Sequence, residues 1–169
     1  LARLVKTLNP ECTIVFGGPE PAIEDPDLFV KEPFMDLVIK MEGEITFRRI
    51  LEDHGSDYTH IEGLLINSPT GLINTGEPKR INDLDEVPSP YLVGIFDRVM
   101  AQNPGVIWNA TLETNRGCPY QCTFCDWGSL TYNKVKKFEL ERVFAELEWM
   151  ATRNFDWISI TDANFGMFP

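Results

Sequence analysis

Three of the four cysteines in this 169-residue chain fall within eight residues, in the stretch ETNRGCPYQCTFCDWGSL (residues 113–130). Cys118, Cys122 and Cys125 are spaced C-x-x-x-C-x-x-C. That spacing constrains the fold: the chain must present three thiols on one loop, and the surrounding elements must hold that loop open to a ligand. Two disulfides would use all four cysteines, but the chain is not cysteine-dense, so metal binding or catalysis is the better reading. A structural zinc site takes four protein ligands, often as two C-x-x-C pairs. Here Cys12 lies far upstream at the start of an apolar run, where a buried thiol is the simple reading. His54 and His60 sit in no metal knuckle. Three thiolates would leave one corner of a cubane 4Fe-4S cluster without a protein ligand. An open iron can bind and activate a small molecule, so the missing fourth cysteine points to chemistry.

The rest of the chain alternates short apolar runs with helical patterns. LARLVKTLNPE has helical spacing at Leu1, Leu4, Val5 and Leu8, and Pro10 ends it. Cys12–Phe16 reads as a buried strand closed by Gly17-Gly18-Pro19, with Thr13–Phe16 as its body. Leu37–Ile39 reads as a second strand, followed by a helix from about Ile45 to Glu52. Strand, helix, strand, helix implies an α/β unit with a parallel sheet, in which Thr13–Phe16 and Leu37–Ile39 should be parallel neighbours. After Tyr58 the pattern changes. Gly63–Ile66 and Gly71–Ile73 flank Ser68-Pro69-Thr70-Gly71, a hairpin signature. LDEVPSPYLVGIFDRVM reads as a proline-containing linker into a short helix. WNATLETNRG is a strand candidate leading into the cysteine loop. In KFELERVFAELEWMATRN, Leu140, Val143, Phe144, Leu147 and Met150 form an apolar stripe that leaves Glu139, Glu141, Glu146 and Glu148 outside it. Trp157–Thr161 reads as another strand with a polar tip.

Net charge is −11, which excludes a nucleic-acid phosphate backbone as the natural partner. The 43% hydrophobic content places the chain among globular proteins. No apolar run approaches the roughly 20 residues of a membrane span. The opening residues do not read as a secretory signal, so a cytoplasmic location is expected.

CPYQCTFC resembles the signature of radical S-adenosylmethionine (SAM) enzymes, C-x-x-x-C-x-φ-C, with Phe124 at the aromatic position and NRGCP as supporting context. The resemblance implies that Cys118, Cys122 and Cys125 ligate a 4Fe-4S cluster. SAM would chelate the fourth iron and be cleaved reductively to a 5′-deoxyadenosyl radical, with Phe124 packing near the adenine. TIVFGGPEP and DLVIKMEGEITF are similar to the later half of the cobalamin-binding domain that precedes the radical SAM barrel in many methyltransferases. By that likeness Gly17 and Gly18 let the backbone approach the corrinoid's nucleotide tail; otherwise they form an ordinary strand-ending turn. In TDANFGMF, Asp162 and Asn164 either contact SAM or substrate or cap the turn. Trp127 and Gly128 are candidates for covering the cluster; Trp127 equally reads as a core residue. Arg116 either offsets the cluster's charge or makes a surface hydrogen bond.

The implied organisation is a partial Rossmann-like cobalamin-binding α/β domain over residues 1–56, a hairpin and linker over 57–106, and the first βαβ unit of a radical SAM partial TIM barrel over 107–169. The family's D-x-H-x-x-G motif, which supplies a lower axial histidine in some members, is not met by DYTHIEG. Asp57 is one residue too far from His60, and the segment follows the Gly-Gly turn. Leu1 in place of Met, and too few βα units for a barrel, lead to the expectation of a piece cut at both ends and inactive by itself. The expected activity is cobalamin-dependent C-methylation or a related radical reaction on a small-molecule or peptide substrate, with flavodoxin or ferredoxin as electron donor. A radical SAM enzyme with a non-cobalamin N-terminal module, and a non-catalytic iron–sulfur or zinc protein, are the alternatives.

Overall fold

The computed structural model describes residues 1–53, 57–120, 122–125 and 134–167, arranged as two compact units, Leu1–Ile81 and Asn82–Pro169. The first unit runs α1 (Ala2–Leu8), β1 (Val15–Phe16), α2 (Leu28–Lys31), β2 (Leu37–Ile39), α3 (Glu44–Glu52), β3 (Leu64–Ser68) and β4 (Gly71–Asn74). Its sheet has the order β1-β2-β3-β4. β1 and β2 are parallel, with Val15 opposite Leu37 and Phe16 opposite Val38, as the strand–helix alternation predicts. β1 is shorter than the apolar run suggests, because the Asp36 side chain takes over the ladder at its start. Ile14 N donates to Asp36 Oδ2 at 2.7 Å, and Asp36 in turn receives Lys6 Nζ at 2.9 and 2.8 Å on its two oxygens.

Every residue of β2 is buried, and the period-2 pleat sends its side chains to two cores. Val38 packs with Leu28, Phe29, Met35 and Leu65 on one face. Leu37 and Ile39 pack with Ile50, Ile61 and Leu64 on the other. Each such side chain contributes about 1.5–3 kcal/mol on leaving water. The sheet is therefore covered on both faces, by α2 on one and α3 on the other.

The β3–β4 hairpin forms where the sequence predicts it, with Ser68 opposite Gly71. It is not a free ribbon: β3 pairs antiparallel with β2, Val38 opposite Leu65. Leu64 and Leu65 are consecutive and both fully buried, so this strand needs cover on two faces. Lys40, at the end of β2, is also buried, and its Nζ reaches Asn74 Oδ1 at 3.0 Å and Glu77 Oε1 at 2.6 Å. Those bonds tie the exit of the hairpin to the sheet.

The second unit contains a 3₁₀ turn (Leu84–Glu86), α4 (Ile95–Gln102), β5 (Trp108–Leu112), β6 (Asn115–Arg116), β7 (Lys136–Lys137), α5 (Leu140–Ala151) and β8 (Phe155–Ile160). β5 and β8 pair in parallel from Trp108–Phe155 to Leu112–Ile160, with a register shift after Trp108, and α5 lies between them in sequence. This is a βαβ unit. Tyr91 guards one edge of β5: its hydroxyl donates to Thr111 O at 2.5 Å and accepts from Thr111 N at 3.1 Å.

The inward face of α5 differs from the apolar stripe. Val143, Glu146 and Met150 are buried, whereas Leu140 and Phe144 are more than half exposed. Arg142 explains the rotation. Its Nη1 donates to Val87 O at 2.5 Å and Leu84 O at 3.3 Å, its guanidinium lies 4.4 Å over the Phe138 ring, and its Nε donates to Glu146 Oε1 at 3.2 Å. A cation drawn inward takes its carboxylate one turn later with it. Among the described residues, no helix is long and apolar enough to cross a membrane.

Candidate metal centre on the cysteine loop

The cysteines lie between β6 and β7, and these two strands form the neck of their loop. Asn115 pairs with Lys137 and Arg116 with Lys136, antiparallel. Phe138 N donates to Thr114 O at 3.0 Å just outside that pair. The Phe138 ring is buried and is shared by the guanidinia of Arg142 and, at 6.0 Å, Arg116. Two ends brought together in this way lower the loop-closure entropy of gathering the three cysteines around one ligand.

On the loop, Cys118 is half-buried, Cys122 and Cys125 are exposed, and all three are unbonded thiols. Cys125 N donates to Cys122 O at 3.2 Å, so the last two ligand candidates share a tight turn. Phe124, between them, is 90% exposed. Among the described residues, no three His, Cys, Asp or Glu side chains converge on a point. The three cysteines thus share a loop whose thiols are not drawn together. Their chemistry fits an iron–sulfur ligand set: three soft, unbonded sulfurs within eight residues, two of them open to solvent. Closing thiolates around a metal is commonly coupled to ordering of the chain that carries them. Trp127 and Gly128 lie outside the described residues, as does His54.

Arg116 faces its own strand approach. Its Nε donates to Glu113 Oε1 at 3.0 Å and Oε2 at 2.9 Å.

Asp162, just beyond β8, reaches back to the entrance of the loop. Its Oδ1 accepts from Thr114 N at 2.6 Å and from Asn115 N at 3.3 Å. Its Oδ2 accepts from the Thr114 hydroxyl and from Asn115 Nδ2 at 2.9 Å. Asn115 is 2% exposed, and its Oδ1 is a buried atom with no partner among the described residues. Asn164 Nδ2 is likewise buried without a partner among those residues. An orphaned acceptor and an orphaned donor at this strand end are the kind of groups a polar ligand satisfies. Thr114 and Asn115 had no signal in the sequence, because their role depends on a partner nearly fifty residues away.

Gly17 and Gly18 follow β1 directly. Gly18 has φ +82°, a left-handed conformation that accounts for glycine there. A Cβ on Gly17 would sit 3.8 Å from the Cβ and carbonyl oxygen of Ile39, so the carboxyl ends of the two parallel strands adjoin. In open α/β sheets that edge is where ligands bind. His60 is engaged elsewhere, with its Nε2 2.8 Å from Asp53 Oδ2. Asp57 holds its own turn: Thr59 Oγ1 and N donate to its Oδ1 at 2.6 and 3.0 Å, and these bonds, the hydroxyl's first, keep its carboxyl below the usual range. Cys12 is half-buried and precedes β1, where the sequence reading has a buried strand residue. Asp36 occupies the ladder position that would have extended the strand to it.

No family model matches the chain. It is 41% identical over its full length to cobalamin-dependent radical SAM methyltransferase TokK of Streptomyces tokunonensis, covering 26% of that protein. It is 38% identical, again over its full length and 26% of the relative, to 2-(S-pantetheinyl)-carbapenam-3-carboxylate methyltransferase of Streptantibioticus cattleyicolor. The chain therefore spans about a quarter of the length of these curated relatives. Among solved structures, apo OxsB, a cobalamin-dependent SAM radical enzyme, superimposes with TM-score 0.67 at 24% identity, over 99% of this chain and 23% of that one. The methyltransferase TsrM of Kitasatospora setae, with cobalamin and a [4Fe-4S] cluster bound, gives TM-score 0.66 at 18% identity, over 97% and 33%. At these identities the structural likeness establishes the fold.

Proposed function

Because this chain belongs to the cobalamin-binding-domain-containing radical SAM enzymes, we propose that the full-length protein is a cobalamin-dependent radical SAM C-methyltransferase acting on a small molecule. The observation that carries the reading is the match to two such methyltransferases along the whole chain, cysteine loop included. Cys118, Cys122 and Cys125 are the proposed ligands of a 4Fe-4S cluster, held on a loop with a preformed neck. When bound, the cluster supplies the electron for reductive SAM cleavage, and cobalamin supplies a methyl carrier.

The chain's own residues then have separable tasks. Phe124 offers an exposed ring to the adenine. Asn164 offers a buried amide N–H to an acceptor on SAM. Gly17 and Gly18 leave the carboxyl end of β1 without side chains, so a corrinoid tail can approach the backbone. One relative's name specifies a pantetheinyl carbapenam carboxylate, and a small natural-product intermediate of that kind is the proposed substrate class. A reduced flavodoxin- or ferredoxin-type protein is the proposed electron donor, and the cytoplasm the proposed location.

The test is anaerobic turnover by the full-length protein with SAM carrying a deuterated methyl group, cobalamin and a low-potential reductant. The proposal expects a corrin absorbance band that co-purifies with the protein, reductive cleavage of SAM, and label on a carbon of the product. A reconstituted protein that cleaves SAM but retains no corrinoid would refute the cobalamin assignment. One that does neither would refute the whole reading.

A further inference from the structure

The carboxylate of Asp162 is fully spent on its own chain. A carboxylate offers about four acceptor positions, and all four are filled by Thr114 N, the Thr114 hydroxyl, Asn115 N and Asn115 Nδ2. Nothing is left to receive the ammonium group of an amino-acid moiety such as that of SAM. The same four bonds join two places that matter. Asp162 lies two residues beyond the end of β8, whose ladder continues as Thr161 N to Leu112 O at 2.9 Å. Thr114 and Asn115 open the neck of the cysteine loop, and Cys118 lies three residues beyond Asn115. Asn115 is itself almost completely enclosed, so its orientation is set by these bonds.

We propose that Asp162 is a positioning residue: it clamps the neck of the cysteine loop to the tip of β8 and so sets the loop's orientation, without contacting SAM. This rests on the reading of Cys118, Cys122 and Cys125 as cluster ligands. The clamp also fixes the neighbourhood of Asn164, two residues beyond Asp162, whose Nδ2 is buried and finds no partner among the described residues. Charge-assisted bonds to backbone N–H groups are short and directional. A carboxylamide cannot replace the clamp, because its NH2 would face the donors of residues 114 and 115.

The experiment compares wild type, Asp162→Asn, Thr114→Val and the double variant in the full-length, anaerobically reconstituted protein. Thr114→Val removes one donor at nearly constant shape and keeps the question open should Asp162→Asn fail to fold. Iron content, the electron paramagnetic resonance spectrum of the reduced cluster, and kcat and KM for SAM cleavage are read together. The clamp predicts retained iron, a shifted or broadened spectrum in both single variants, kcat reduced about tenfold in Asp162→Asn, and KM for SAM within about twofold of wild type. It also predicts that the double variant is no worse than Asp162→Asn, because both remove the same interaction. Three results overturn it: KM for SAM raised about tenfold or more by Asp162→Asn with an unshifted spectrum; losses that multiply in the double variant; or, where Asp162→Asn does not fold, a Thr114→Val spectrum identical to wild type. A wild-type protein that takes up no iron would instead refute the function proposed above, so the two failures are distinguishable.

Discussion

Gly63 is the tightest point of the first unit. Its φ is +90°, and a Cβ built on it would lie 2.7 Å from Pro78 Cβ, 3.0 Å from Thr46 Oγ1 and 3.2 Å from Pro78 Cγ. Its carbonyl accepts the Lys40 amide at 2.9 Å, so the strain cannot be relieved without disturbing the end of β2. Gly63→Ala therefore combines two costs. Left-handed backbone at a non-glycine residue costs about 1–2 kcal/mol, and overpacking costs about 1–3 kcal/mol. The lower entropy of the unfolded chain returns about 0.4–1 kcal/mol. The net loss is about 1–4.5 kcal/mol, which corresponds to about fivefold to two-thousandfold faster opening. Native-state hydrogen exchange, read on peptides covering β2 and β3 in the full-length protein, isolates the effect to this unit. Gly71→Ala is the control: φ is +111°, but a Cβ there meets nothing within 4 Å, so only the backbone cost applies. Equal loss of protection in the two variants would refute the steric argument.

Cys122→Ala abolishes iron incorporation in the reconstituted full-length protein and Cys12→Ala leaves it intact, as quantified by iron and sulfide analysis; equal iron in both variants would contradict the ligand assignment. His60→Ala leaves the corrin absorbance spectrum unchanged, because the ring is paired with Asp53 and largely exposed. Arg142→Ala costs about 3–5 kcal/mol, since it strips the bonds to Leu84 and Val87 and strands the buried Glu146 carboxylate. Exchange protection across α5 and β8 reports it, and Glu146→Gln should cost clearly less.

The sequence disclosed the elements whose signals are local. Leu37–Ile39 is an apolar run bounded by polar residues, and it becomes the buried strand β2; the Gly17-Gly18 turn and the β3–β4 hairpin follow equally from neighbouring residues. What escaped it was set by contacts at a distance. The inward turn of α5 depends on carbonyls at Leu84 and Val87, which no count of apolar spacing reveals. Lys40 carries no local signal of burial, yet it is buried, with Asn74 and Glu77 meeting its ammonium. At the candidate site, the cysteine spacing was legible because a metal loop is encoded by consecutive residues. Its neck was not, because β6 and β7 are two residues each and carry no periodicity. Asp162 was visible as a polar strand tip, but its partners, and hence its role, were not.

Everything proposed for this chain depends on Cys118, Cys122 and Cys125 holding a cluster that engages SAM. The direct measurement is electron paramagnetic resonance of the reduced, anaerobically reconstituted full-length protein, with and without SAM, alongside metal analysis. The account predicts about four irons with matching sulfide per chain, and a cluster signal that changes when SAM is added. A single tightly held zinc, or an iron–sulfur signal indifferent to SAM, would contradict it.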